Sequence, residues 1–143
     1  MSLTAANAVL MLSVPPIFTV PFPLVGFAAD DVYDVDAVRR AETLMGVDGI
    51  LSGGFVWEEV KQTIVFQGDS PTIPLIDQWD QAQLALQDVY NAGMTVTLLG
   101  VATTWICVKG FLMSWSPLPS AKKLIQPRRL MISWNITQPA PLL

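Results

Sequence analysis

Residues 95–137 read TVTLLGVATTWICVKGFLMSWSPLPSAKKLIQPRRLMISWNIT. Together with Met94 they contain three apolar runs rich in β-branched and aromatic residues: Met94–Leu99, Thr103–Trp115 and Leu130–Thr137. Each reads as a strand. Trp105, Cys107 and Phe111 to Trp115 predict one long strand with a bulge at Gly110. Pro117-Leu118-Pro119 predicts a turn. The charges of the stretch are all basic and sit at or between the runs: Lys109, Lys122, Lys123, Arg128 and Arg129. Nothing in it has the residue types of a catalytic site, so the best-patterned third of the chain reads as sheet.

Moving upstream, Asp69-Ser70-Pro71 opens the clearest helix, with Asp69 or Ser70 as cap and Pro71 in the first turn. Leu75, Trp79, Ala82, Leu86, Val89 and Tyr90 share one helical face, and Gly93 is the expected stop. Leu51–Glu58 and Gln62–Gln67 are candidate strands, interrupted around Gly53-Gly54 and Glu59. Gly46-Val47-Asp48-Gly49 reads as a tight turn whose glycines can take positive φ. Val38 to Gly46 is expected to form a brief helical turn, and Asp30 to Asp36 an acidic loop. Ser2 to Leu12 reads as a short apolar helix or arm ended by Pro15-Pro16. Ile17–Ala28 reads as extended, its prolines suited to an edge rather than a central strand. The sum is an α+β domain with a mostly antiparallel sheet and one flanking helix over about residues 71–92. Residues 1–29 form an extended, proline-rich N-terminal arm, 30–138 the β domain and 139–143 a loose tail.

Composition adds a second constraint. The 143 residues suit one domain, yet 52% are apolar and only 14% charged, against about 25% charged in ordinary soluble domains. Mean hydropathy is +0.46. Such a chain either enters a membrane or buries surface against other subunits. The net charge of −4 argues against phosphate-neutralising nucleic-acid binding. Charge is also segregated: Met1–Ala29 has none, Asp30–Asp88 holds all 12 acids against three bases for a net −9, and Lys109–Arg129 holds five bases and no acid. This polarity suits head-to-tail stacking of copies, the alternative being two solvated loops. Lys122, Lys123, Arg128 and Arg129 are therefore expected to face Asp30, Asp31, Asp34 and Asp36 of a neighbour. Replacing Arg128 and Arg129 with glutamate is expected to block stacking without unfolding the subunit.

Several chemistries lack their residues. The absence of histidine removes Ser-His-Asp and Cys-His catalysis and most zinc sites. Cys107, the single cysteine, sits in an apolar run and reads as core. An EF-hand started at Asp30 fails at Val35, where glycine is needed, and at Ala41, where glutamate is needed. Glu58 and Glu59 point to opposite strand faces. Gly49, Gly53 and Gly54 match neither phosphate-loop spacing. No cofactor or metal is expected. Asn135-Ile136-Thr137 is a coincidental sequon, because the N-terminus lacks the basic start of a secretory signal. A membrane-active lysis protein is the remote alternative. Its candidate spans, Met1–Ala29 and Val89–Val108, are broken by four prolines in the first and by glycines and β-branched residues in the second, so no membrane insertion is expected.

From Gly46 onward, over about two thirds of its length, the chain resembles the tail tube proteins of tailed bacteriophages and their baseplate relatives. The resemblance rests on the order of several features. Gly46-Val47-Asp48-Gly49 precedes a glycine-broken strand, and Gln67-Gly68-Asp69-Ser70-Pro71 opens a helix containing Trp79. A strand ends in a glycine-marked hairpin near Lys109-Gly110. Ser116-Pro117-Leu118-Pro119-Ser120-Ala121-Lys122-Lys123 leads to a last strand ending Ile132-Ser133-Trp134-Asn135. Residues 1–29 depart from the pattern, being richer in proline and apolar residues. The resemblance implies a β-sandwich or barrel-like core, six subunits joining sheets into a ring, and rings stacking into a tube that passes DNA without specific binding. It implies sheath, tape measure or baseplate components as partners and a place in the virion tail after assembly in the host cytoplasm. A tube-like baseplate ring is the alternative, and no enzymatic activity is implied.

Overall fold

A computed structural model describes residues 8–15, 17–28 and 32–141. In chain order the elements are β1 (Ala8–Val14), β2 (Phe18–Pro23), β3 (Tyr33–Val35), β4 (Ala41–Met45), β5 (Leu51–Phe55), β6 (Val60–Phe66), α1 (Ile73–Leu86), β7 (Ala92–Leu98), β8 (Thr103–Trp115) and β9 (Arg128–Pro141). Seven strands form one antiparallel sheet in the order β2-β1-β7-β8-β9-β6-β3, and β4 and β5 form a separate hairpin.

The sheet exists because alternate residues are apolar and share a face. Leu10, Leu12 and Val14 of β1, Ile64 and Phe66 of β6, Met94 and Val96 of β7, and Leu130, Ile132 and Trp134 of β9 are all buried. The sheet curls around this core. Leu24 donates its N–H to Leu10 O at 2.8 Å beside β1, while Phe27 bridges Phe66 and Ala28 donates to Val65 O at 3.0 Å beside β6. In a flat sheet β1 and β6 would stand about 19 Å apart, four strand spacings. The three residues from Leu24 to Phe27 reach only about 11 Å, so the sheet is bent into a barrel-like cup. Helix α1 seals it with Ile73, Ile76 and Trp79.

The three strands of residues 94–137 form as the sequence predicts, and β7–β8–β9 are adjacent. The bulge near Gly110 is present: Ala92 pairs with Gly110 but Met94 with Cys107, and Lys109 takes φ 54°. A Cβ at Gly110 would run into the Trp134 ring, so only glycine fits beneath the largest aromatic of β9. The predicted Gly46–Gly49 turn also forms, with Gly49 at φ 81° and its N–H donating to Gly46 O at 3.0 Å. The proline-bearing β2 is an edge strand, as its prolines require.

Six expectations are corrected. The Ser2–Leu12 helix is, from Ala8 onward, strand β1, because Leu10, Leu12 and Val14 alternate inward. Ala8–Val14 and Phe18–Pro23, within the segment read as an arm, thus form the first two strands of the main sheet. The helical turn at Val38–Gly46 is replaced by β4, whose partner β5 is supplied by the tight turn between them. Lys109-Gly110 is no hairpin, since β8 runs through it. The tail expected to be loose pairs through Pro141 with Thr103; β8 is long enough to hold it. The helix ends earlier than its periodicity implied, at a left-handed Gln87, leaving Leu86 and Val89 exposed.

Candidate functional site

The charged residues singled out by sequence fall into three places. Asp34 and Asp36 are exposed on and after β3, and Asp30 and Asp31 lie outside the described residues. Lys122 and Lys123 are exposed on the Ser116–Pro127 loop between β8 and β9. Arg129 is exposed on β9 and lines one shallow cleft with Tyr33, Asp34, Thr63 and Val65. Asp34 and Arg129 therefore border the same cleft of one subunit, whereas among the described residues the lysines form no ion pair with an aspartate.

Arg128 has a different fate. Only 5% of its side chain is exposed. Its Nη1 and Nη2 donate to Asp77 Oδ2 and Oδ1 at 3.2 and 2.9 Å, and Nη2 also donates to Ser116 O. The guanidinium lies 4.2 Å over the Trp115 ring, and Trp115 Nε1 donates to Asp77 Oδ1 at 2.7 Å. This cluster ties the first turns of α1 to the β8–β9 connection. Removing one member of a buried ion pair strands the other. Glutamate at 128 is therefore expected to destabilise the subunit, against the expectation that the double replacement spares the fold.

Among the described residues the sheet has two free edges of unequal chemistry. In an antiparallel strand alternate residues turn both backbone groups to the same side. Leu24 donates toward β1, so Pro23, and Pro21 in step with it, turn toward the free edge of β2. Neither has an N–H to offer. On the opposite edge Val65 N–H reaches Val32 O and Asp36 N–H reaches Lys61 O. Tyr33 and Val35 between them turn their backbone groups outward. One edge is closed to strand addition and the other is open.

The β4–β5 hairpin buries neither face. Every residue of both strands is exposed. Met45 pairs with Leu51 and Ala41 with Phe55, so these four side chains share a face with Thr43 and Gly53. Val47, Ile50 and Trp57 extend the apolar surface, and Phe55 and Trp57 stack edge-on at 4.9 Å. Sequence reasoning missed this surface; its signal was the near absence of charge around the tight turn, Asp48 being the only charge in residues 43–57.

Within the cup lies a cavity of about 240 Å³ lined by residues including Val60, Val96, Trp105, Cys107 and Trp134. Burial pushes the Cys107 thiol up, against a weaker opposing hydrogen bond from Thr137, which leaves it a core residue and not a nucleophile. Gln62, buried beside it, accepts from Trp134 Nε1 at 3.0 Å. Among the described residues no cluster of His, Cys, Asp or Glu could hold a metal ion, and no helix is long and apolar enough to cross a membrane.

A protein-family model for tail fiber protein gp32 matches residues 1–137. No curated protein matches significantly. Among solved structures, a chain of the cryo-EM anti-feeding prophage (AFP) baseplate is similar over 99% of both chains, with TM-score 0.66 and 14% identity. A chain of the PVC sheath–tube complex, an extracellular contractile injection system in its extended state, covers 93% of this chain and 88% of its own, with TM-score 0.60 and 15% identity. A chain of the AFP tube-terminating cap covers 99% and 92%, with TM-score 0.56 and 10% identity. At these identities the likeness establishes a shared fold.

Proposed function

The chain belongs to the tail fiber protein gp32 family, and from that membership together with the fold shared with a sheath–tube chain we propose that it forms hexameric rings of a phage tail tube through which DNA leaves the particle. The coarser statement, a structural protein of a phage-type tail or baseplate, stands on the family match and on the fold shared with baseplate, sheath–tube and cap chains. The observation that supports the finer reading is the fold shared over 93% of this chain with a chain of the PVC sheath–tube complex, together with apolar surface that a lone subunit leaves exposed. The chain acts as a rigid conduit without turnover or cofactor. Its acidic middle stretch repels DNA and lets it slide. Sheath, tape measure and baseplate components are its partners, the tail of the virion is its location, and it is assembled in the host cytoplasm.

A second reading is a tube-like ring of the baseplate, prompted by the fold shared over 99% of this chain with a chain of the AFP baseplate. Native mass spectrometry of protein purified without detergent tests the ring: a dominant species at six times the chain mass is expected, and a monomer at every concentration contradicts it. Copy number per particle separates the readings, since a tube repeats many rings and a baseplate holds one.

A further inference from the structure

We propose that the cavity in the cup is a binding site for one small neutral molecule, an aromatic-sized apolar body carrying a single hydrogen-bond acceptor such as a carbonyl oxygen. The inference goes beyond the assembly reading and does not depend on it. Three observations carry it.

The first is size and lining. The cavity holds about 240 Å³, against about 150 Å³ for an apolar cavity that takes up benzene. Its floor is Val60, Gln62, Val96, Cys107 and Trp134, each no more than 5% exposed. Val35, which is exposed, stands at the rim and leaves a way in. Among the described residues none that lines it is charged, so an ion would lose its hydration there without gaining a partner. A neutral, apolar molecule is what the space can take.

The second is what keeps the space open. Trp134 Nε1 donates to Gln62 Oε1 at 3.0 Å. The ring also lies so close on Gly110 that a Cβ there would strike it. Held at both points, the indole lines the space rather than filling it. An empty space loses the dispersion contacts of its walls, so an occupant that restores them stabilises the fold it enters.

The third is the polar group inside. Trp134 Nε1 can only donate, so the Gln62 atom facing it is the carbonyl oxygen, and the NH2 is turned the other way. Among the described residues this NH2 meets no acceptor, and the one buried polar side-chain atom sealed without a partner is Arg128 Nε. The Gln62 NH2 therefore opens on space, and the space that Gln62 lines is the cavity. Thr137 Oγ1 already donates to Cys107 Sγ at 3.7 Å. Gln62 thus supplies a donor of fixed orientation, and an acceptor on the ligand meets it. Tyr33 and Val35 belong to β3, so the bound molecule also braces the strand at the open edge of the sheet from inside the cup.

Equilibrium dialysis of the full chain against acetophenone and α-methylstyrene tests this. The two compounds share a shape, with CH2 replacing the carbonyl oxygen in the second. Wild type is expected to bind one acetophenone per chain, saturably. Val96→Phe fills the cavity from its floor and is expected to bind neither compound. Gln62→Met keeps the side-chain length and removes the donor, which penalises only the ketone. The ratio of acetophenone to α-methylstyrene affinity is therefore expected to fall at least about threefold from its wild-type value. Comparing ratios cancels the difference in how readily the two compounds leave water. No saturable binding of either compound to wild type overturns the site, and so does binding by Val96→Phe equal to that of wild type. An unchanged ratio in Gln62→Met overturns the acceptor. Val96→Phe removes no hydrogen-bonding group, so its result decides the site even where Gln62→Met unfolds.

Discussion

Arg128 and Arg129 are neighbours in sequence with opposite roles, because successive strand residues face opposite ways. Leu130, Ile132 and Trp134 are buried, which puts Arg128 on their side and Arg129 on the other. Arg128→Ala is expected to cost about 3 kcal/mol, the low end for breaking a buried pair, because Asp77 is 41% exposed and recovers some hydration. Arg129→Ala should stay within about 0.5 kcal/mol. Urea denaturation separates them, and equal effects would refute the assignment. Gly110→Ala should cost about 1–3 kcal/mol by forcing the Trp134 ring to move. The inward place of Arg128 was legible in the alternation of the four residues that follow it. Its partner was not, since Asp77 lies 51 positions away and only the curl of the sheet brings α1 there.

At the scale of elements, strands announced themselves where apolar residues alternate or run together, and failed where local signals competed. The strands of residues 94–137 are of the first kind. Strand β1 is of the second: MSLTAANAVLML holds helix formers, and pairing with β7 overrides that preference. Strand β4 likewise takes its conformation from its turn and partner. The edge prolines were read correctly, but their direction needed the hydrogen bonds. Pro21→Val with Pro23→Val restores two outward N–H groups on β2. Light scattering is expected to show faster uncontrolled association of this variant at unchanged thermal stability. Unchanged scattering would mean that the prolines do not guard the edge.

The whole molecule has two kinds of edge. Its apolar excess was legible as a sign of burial against other subunits, and its charge segregation as polarity. The surfaces themselves were not legible. Arg128 pairs with Asp77 of its own subunit, so acids and bases that look complementary along the chain are partly matched within it. The hairpin and the lysine loop are two of its exposed surfaces. Association should therefore weaken as salt rises, though only in part, because apolar contact persists. The measurement that reaches the central claim most directly is negative-stain electron microscopy of the protein purified without detergent. Rings with an open centre, alone or stacked into tubes, are the predicted result; a monodisperse particle with no ring at any concentration would contradict it.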